Sequence, residues 1–134
     1  MLATVGFLYL YFKGYLLSRN AISITIQIFA VLLMVWARFT FGLRSFHAAA
    51  NTTEGKLVTK GPYHYWRHPI YASLIYFSWA CLIAYPHLDV VGAVLLITIG
   101  LVGRMLLEEK FLFETYPEYK EYSKRTRRLI PFIM

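Results

Sequence analysis

The chain has 134 residues, 58% hydrophobic and 16% charged, with a formal net charge of +7. An ordinary soluble domain carries about a quarter charged residues, so this composition excludes one and points to a bilayer. The basic excess flanks apolar blocks, as membrane orientation produces, and is not a nucleic-acid footprint.

Four apolar blocks run over residues 2–17, 21–43, 70–88 and 90–107. They predict an all-α fold, a multi-pass transmembrane helical bundle of about four spans with a cytoplasmic C-terminal helical tail. At 1.5 Å per residue the second block reaches roughly 34 Å and the last two roughly 27–28 Å, against a hydrocarbon core of about 30 Å. The first block is short and carries Lys13. Charge sets the orientation. The connection between the second and third blocks holds Arg44, Lys56, Lys60 and Arg67 against Glu54, and the tail holds Lys110, Lys120, Lys124, Arg125, Arg127 and Arg128. The turn from Tyr85 to Asp89 has no Lys or Arg. The positive-inside rule then places the connection and the tail in the cytoplasm and the turn outside. The whole is expected to be one integral membrane domain, 1–134: spans in 1–43, a cytoplasmic loop over 44–69, a helical hairpin over 70–116 and a tail over 117–134.

Within the hairpin, Pro69 suits the first helical turn, where its missing N–H is no loss. Pro86 ends that helix near Tyr85. The fourth helix is expected to run past Leu107 to Tyr116, ahead of Pro117. Residues 118–128 read as a short surface helix with a Glu121–Arg125 pair four apart and a stripe of Tyr116, Tyr119 and Tyr122 for the headgroup layer. The apolar end, from Leu129 on, is expected to tuck back against the protein. The lone Cys81 reads as a small buried apolar side chain.

Two clusters carry chemistry. In Arg67-His68-Pro69-Ile70-Tyr71, a proline at the first helical position leaves the N–H groups of Ile70 and Tyr71 free, which makes an anion site with Arg67 and His68 beside it. The alternative is an interfacial basic cluster that anchors the helix end. In Arg104-Met-Leu-Leu-Glu108-Glu109, Arg104 and Glu108 share one helix face. They read either as a bracing ion pair or as a cation-binding carboxylate next to an anion-orienting guanidinium. Arg38 is expected to snorkel to the cytoplasmic face. His47 and His87 lack companions at metal spacing, so no metal is expected.

Leu57-Val58-Thr59-Lys60-Gly61-Pro62-Tyr63, Arg67-His68-Pro69-Ile70-Tyr71, Arg104 with Glu108-Glu109, Tyr116, Tyr119, Tyr122 and Leu129-Ile-Pro131 occur in this order from Gly55 to Pro131. This series resembles the isoprenylcysteine carboxyl methyltransferase family, in a wider group that includes phospholipid N-methyltransferases. The chain departs from the family at Gly55, where prenylcysteine enzymes often have His. The resemblance implies an integral membrane enzyme that transfers a methyl from S-adenosylmethionine to a lipophilic small-molecule or lipidated substrate among membrane lipids. Carried over by position, it implies cofactor binding by Leu57, Val58, Tyr63, His68, Pro69, Ile70, Tyr71 and Glu108. It places Arg104 at the substrate, and Arg104 and His68 are the expected catalytic residues. Two other readings stay open: a membrane sterol-type reductase using NADPH, since such enzymes carry a similar Arg-His-Pro-x-Tyr segment, and a non-enzymatic membrane scaffold.

Overall fold

The computed structural model describes residues 1–41 and 59–130. Among these are the helices α1 (Leu2–Phe12), α2 (Ala21–Phe41), α3 (Pro69–Ala84), α4 (Leu88–Thr115) and α5 (Tyr119–Arg125), with a short 3-10 turn over Gly61–His64. No strand lies among the described residues; a single parallel bridge joins Trp66 to Arg127.

The long helices stand in the order α1, α4, α3, α2, each packed mainly on its neighbour in that row. The sequence sets their limits locally. Asn20 accepts the N–H of Ile22 at 2.9 Å on its side-chain oxygen and so caps the start of α2. Pro69 stands in the first turn of α3, and the helix closes at Ala84, ahead of Pro86. At Thr115 α4 stops, just short of Pro117. Helices α2 and α4, with mean hydropathy 1.9 and 2.3, are long and apolar enough to cross a membrane. The expected first span is instead an 11-residue helix, about 16 Å long and roughly half a hydrocarbon core. It ends before Gly14, whose φ of +74° is one that side chains disfavour. The 16-residue α3 reaches about 24 Å.

Close approach of α1 to α4 depends on missing side chains. A Cβ on Gly6 would lie 2.5 Å from Ile97 Cγ1 and 2.9 Å from the Ala93 carbonyl, and one on Gly100 3.0 Å from Leu2 Cβ. Helices in lipid gain little from apolar burial against each other, so backbone proximity and van der Waals contact do that work. The buried core around them holds Leu10, Val90, Val94, Ile97, Leu101 and Met105.

Polar contacts tie the α1–α2 connection to the end of α3. Gln27 Nε2 donates to the Leu16 carbonyl at 2.9 Å, and Gln27 Oε1 accepts from Ser18 N at 3.2 Å. Tyr85 OH donates to the Leu17 carbonyl at 2.9 Å. Cys81 is buried here as expected, yet it is not in a purely apolar setting: Gln27 Nε2 lies 3.5 Å from its sulfur.

The tail differs from its expected form. Its helix is limited to the seven residues of α5. Lys124, not Arg125, pairs with Glu121, at 2.8 Å. Tyr119 and Tyr122 are buried, so they do not form an interfacial stripe; Tyr119 packs edge-on against Phe113 with ring centroids 4.8 Å apart. Leu129 tucks back as expected, with its carbonyl accepting from Tyr76 OH; residues 131–134 fall outside the described residues.

Gly6→Ala is expected to destabilise the bundle by about 1–3 kcal/mol through overpacking. Gly92→Ala, where a Cβ meets nothing within 4 Å, is expected to be neutral or to stabilise by up to about 1 kcal/mol. Thermal unfolding of the two variants in detergent checks the contrast.

Candidate active site

The two clusters legible in the sequence come together where the start of α3 meets the last turns of α4. Adjacent carboxylates on α4 take different surroundings, because successive side chains on a helix point about 100° apart.

Glu108 faces Tyr71 and Arg104. Tyr71 OH donates to Glu108 Oε1, and Arg104 Nε lies 3.5 Å from the same oxygen. The Glu108 side chain is 16% exposed and that of Arg104 51%, so this group opens outward. Arg104 also faces the Tyr71 hydroxyl. The expected Arg104–Glu108 pairing is present, with Tyr71 from the Arg-His-Pro-x-Tyr motif as a third member.

Glu109 points inward and is 3% exposed. His68 Nε2 donates to its Oε1 at 3.1 Å, and Arg128 Nε donates to its Oε2 at 2.9 Å. Arg67 Nε stands 3.5 Å from Oε1. His68 therefore belongs to the Glu109 group, although its ring centroid is 5.9 Å from that of Tyr71. His68 occupies the position just before α3, Pro69 begins the helix, and Ile70 and Tyr71 follow in the first turn. Their N–H groups have no acceptor within the helix, so a helix start with free donors lies beside the Tyr71–Glu108–Arg104 group.

The segment leading into α3 is held from both sides. Gly61, with φ +61°, lets the chain turn against α2: a Cβ there would lie 2.6 Å from Thr40 Oγ1. Tyr63 is buried in this turn, and its ring stacks at a tilt on Phe41 with centroids 5.5 Å apart. From the other side the tail crosses over. Arg67 N donates to the Arg127 carbonyl at 2.7 Å, Arg127 N to the Tyr65 carbonyl at 3.1 Å and His68 N to the Arg128 carbonyl at 3.3 Å. Tyr122 OH donates to the Tyr63 carbonyl at 2.6 Å. Of the expected cofactor residues, Tyr63, His68, Pro69, Ile70, Tyr71 and Glu108 gather around this joint; Leu57 and Val58, like most of the loop expected over 44–69, lie outside the described residues.

The sequence placed Glu109 and Tyr122 in the motif series and Arg128 among the tail charges but gave none of the three a role in the site. A signal existed for Glu109, since two adjacent acids on one helix cannot share a face. None existed for Arg128, whose pairing depends on the return of the tail. Among the described residues no group of three or more His, Cys, Asp or Glu gathers to hold a metal.

Burial pushes the phenol pKa values of Tyr63, Tyr119 and Tyr122 well above the ordinary value near 10. The raised value means that the folded state favours the neutral phenol. Its contribution to stability is complete below pH 10 and is lost as pH rises toward the folded value, because the unfolded chain ionises first. Stability is therefore expected to fall above pH 10, by about 1.4 kcal/mol per pH unit for each such phenol. Tyr122→Phe should flatten this slope by the share of one phenol while lowering stability near neutrality by about 1–2 kcal/mol. Denaturant unfolding as a function of pH checks both.

Residues 19–119 match the phospholipid methyltransferase family. No curated protein and no solved structure matches the chain. The matched span contains α2, α3 and α4 whole, and with them Tyr71, Arg104 and both carboxylates. The chain thus belongs to the phospholipid methyltransferase family, in the group that also takes in the isoprenylcysteine carboxyl methyltransferases, and is a membrane methyltransferase.

Proposed function

We propose that the protein is an integral membrane methyltransferase that uses S-adenosylmethionine to methylate a lipophilic substrate, a prenylcysteine-type carboxylate or a lipid headgroup, at the cytoplasmic face. The observation that carries this reading is the Tyr71–Glu108–Arg104 group beside the first turn of α3. It sets a partly screened carboxylate next to unbonded helix N–H groups, which is complementary to a ligand bearing both a carboxylate and cationic centres.

The residues present fit S-adenosylmethionine. The Ile70 and Tyr71 N–H groups suit its carboxylate, and Glu108 suits its ammonium or sulfonium. When bound, the cofactor would supply an electrophilic methyl for an oxygen, nitrogen or sulfur lone pair of the substrate, with the C–S electron pair left on sulfur. The protein's own part is alignment and exclusion of water. Tyr71 OH holds the Glu108 carboxylate in place, with Arg104 Nε 3.5 Å from the same oxygen. Arg104, half-exposed at the edge of the group, orients an anionic substrate entering from the bilayer. A carboxylate nucleophile needs no base. An ammonium headgroup must first lose a proton, for which Glu108 and His68 are the candidate acceptors.

The topology proposed with this reading keeps the loop and tail cytoplasmic, on the strength of their Lys and Arg content. Helices α2 and α4 cross, the 16-residue α3 carries the chain back to the outer side between them, and α1 packs against α4 as a shorter membrane-embedded element. Family membership favours methyl transfer over the NADPH-dependent reductase reading and over a scaffold.

Calorimetric titration of the detergent-purified protein with S-adenosylhomocysteine, with NADPH in parallel, tests the reading. Saturable binding of S-adenosylhomocysteine alone is expected; binding of NADPH alone would overturn it in favour of the reductase. Glu108→Gln should weaken S-adenosylhomocysteine binding about tenfold or more, that is by about 1.4 kcal/mol. Arg104→Ala should leave that affinity within about threefold and instead lower turnover. Loss of cofactor binding in Arg104→Ala would contradict this division of roles.

A further inference from the structure

His68, Glu109 and Arg128 close a ring of contacts. The His68 ring donates to one oxygen of Glu109, and the Arg128 guanidinium donates to the other. The Arg128 carbonyl in turn accepts the His68 backbone N–H at 3.3 Å. Arg128 is thus fixed to the start of α3 twice, once through its main chain and once through its side chain by way of Glu109. The neighbouring pairs, Arg67 N to Arg127 O and Arg127 N to Tyr65 O, continue the same crossing.

This arrangement keeps Glu109 from meeting a ligand directly. Its side chain is 4% exposed, and both oxygens already accept hydrogen bonds from the protein. His68 is the residue immediately before α3, so whatever holds its ring and its N–H also determines where the Ile70 and Tyr71 N–H groups point.

Resting on the methyltransferase reading, we propose that Glu109 is a positioning residue. By holding His68 and Arg128 on its two oxygens, it fastens the tail across residues 65–68 and so sets the first turn of α3 to receive the carboxylate of the cofactor. The tail is then part of the cofactor site without touching the cofactor.

The test compares the unaltered chain with Glu109→Gln and Arg128→Ala in the same detergent. S-adenosylhomocysteine affinity is measured by calorimetry and backbone opening by amide hydrogen exchange. Glu109→Gln keeps the shape and removes the charge. It is expected to raise Kd at least tenfold at near-unit stoichiometry and to speed exchange at Arg67 and His68 at least tenfold, while the buried core amides of Val94 and Ile97 stay protected. A merely structural role would lower the thermal midpoint or the binding-competent fraction and leave Kd unchanged; a Kd within twofold of the unaltered chain therefore overturns the proposal. Glu109→Asp, which keeps the charge, should recover part of the lost affinity. Should Glu109→Gln fail to fold, Arg128→Ala decides. Its side chain is 39% exposed and supplies only one of the carboxylate's contacts. A threefold or greater rise in Kd is expected, and an unchanged Kd overturns the proposal. Absence of binding by the unaltered chain would instead overturn the methyltransferase reading, and the role of Glu109 in cofactor binding with it.

Discussion

Three basic side chains from two distant parts of the chain converge on one buried carboxylate. Arg67 and His68 come from the approach to α3, Arg128 comes from the returning tail, and Glu109 stands between them near the end of α4. Withdrawing the Glu109 and Arg67 charges from water has a large desolvation cost, and a buried ion pair of this kind adds little net stability compared with apolar packing. Removing a buried partner is another matter, since it leaves the rest uncompensated at a cost of about 3–5 kcal/mol; loss of the partly exposed Arg128 costs less, because water screens it. The interaction is therefore best understood through the geometry it imposes: three elements that could slide past one another are fixed in one register.

Other features of that end of the molecule follow from this register. With the tail crossed over residues 65–68, Tyr122 reaches the Tyr63 carbonyl, and Trp66 and Tyr76 are drawn together with the Leu129 carbonyl. The turn at Gly61 can then press against Thr40 and Trp36 of α2. Beside this closed group lies an open one. Glu108 is one residue away from Glu109, yet it faces a hydroxyl and a half-exposed guanidinium. The two acids thus take different surroundings, one inside a closed group and one facing outward, a division that the helical rotation between neighbouring residues makes available.

Much of this was legible in the sequence, because much of it is local. The start of α3 at Pro69, its end before Pro86 and the length of α4 follow from proline chemistry and apolar run length. The pairing of Arg104 with Glu108 follows from helical spacing. Beyond the return of Leu129, what depended on long-range contacts was not legible. The pattern of Tyr116, Tyr119 and Tyr122 reads as an interfacial stripe, but Tyr119 and Tyr122 turn inward because the tail folds back over α4 and residues 65–68. Glu121 has basic residues both three and four positions on, and spacing alone does not decide between Lys124 and Arg125. The apolar run over residues 2–17 says nothing of the break after Phe12, which follows from the positive φ of Gly14 and the anchoring of residues 16–18 by Gln27 and Tyr85. In the site, motif order pointed to Glu108 and to the first turn of α3, whereas the partner of His68 needed the third dimension.

In the function proposed, the first turn of α3, set by Glu109 and its basic partners, receives the carboxylate of S-adenosylmethionine. The most direct measurement is residue-resolved exchange of the Ile70 and Tyr71 amides in the detergent-solubilised protein, with and without saturating S-adenosylhomocysteine. The expected result is strong ligand-dependent protection of these two amides, with little change at the Val94 and Ile97 amides in the core of α4. Saturable binding that leaves the exchange of Ile70 and Tyr71 unchanged would contradict it.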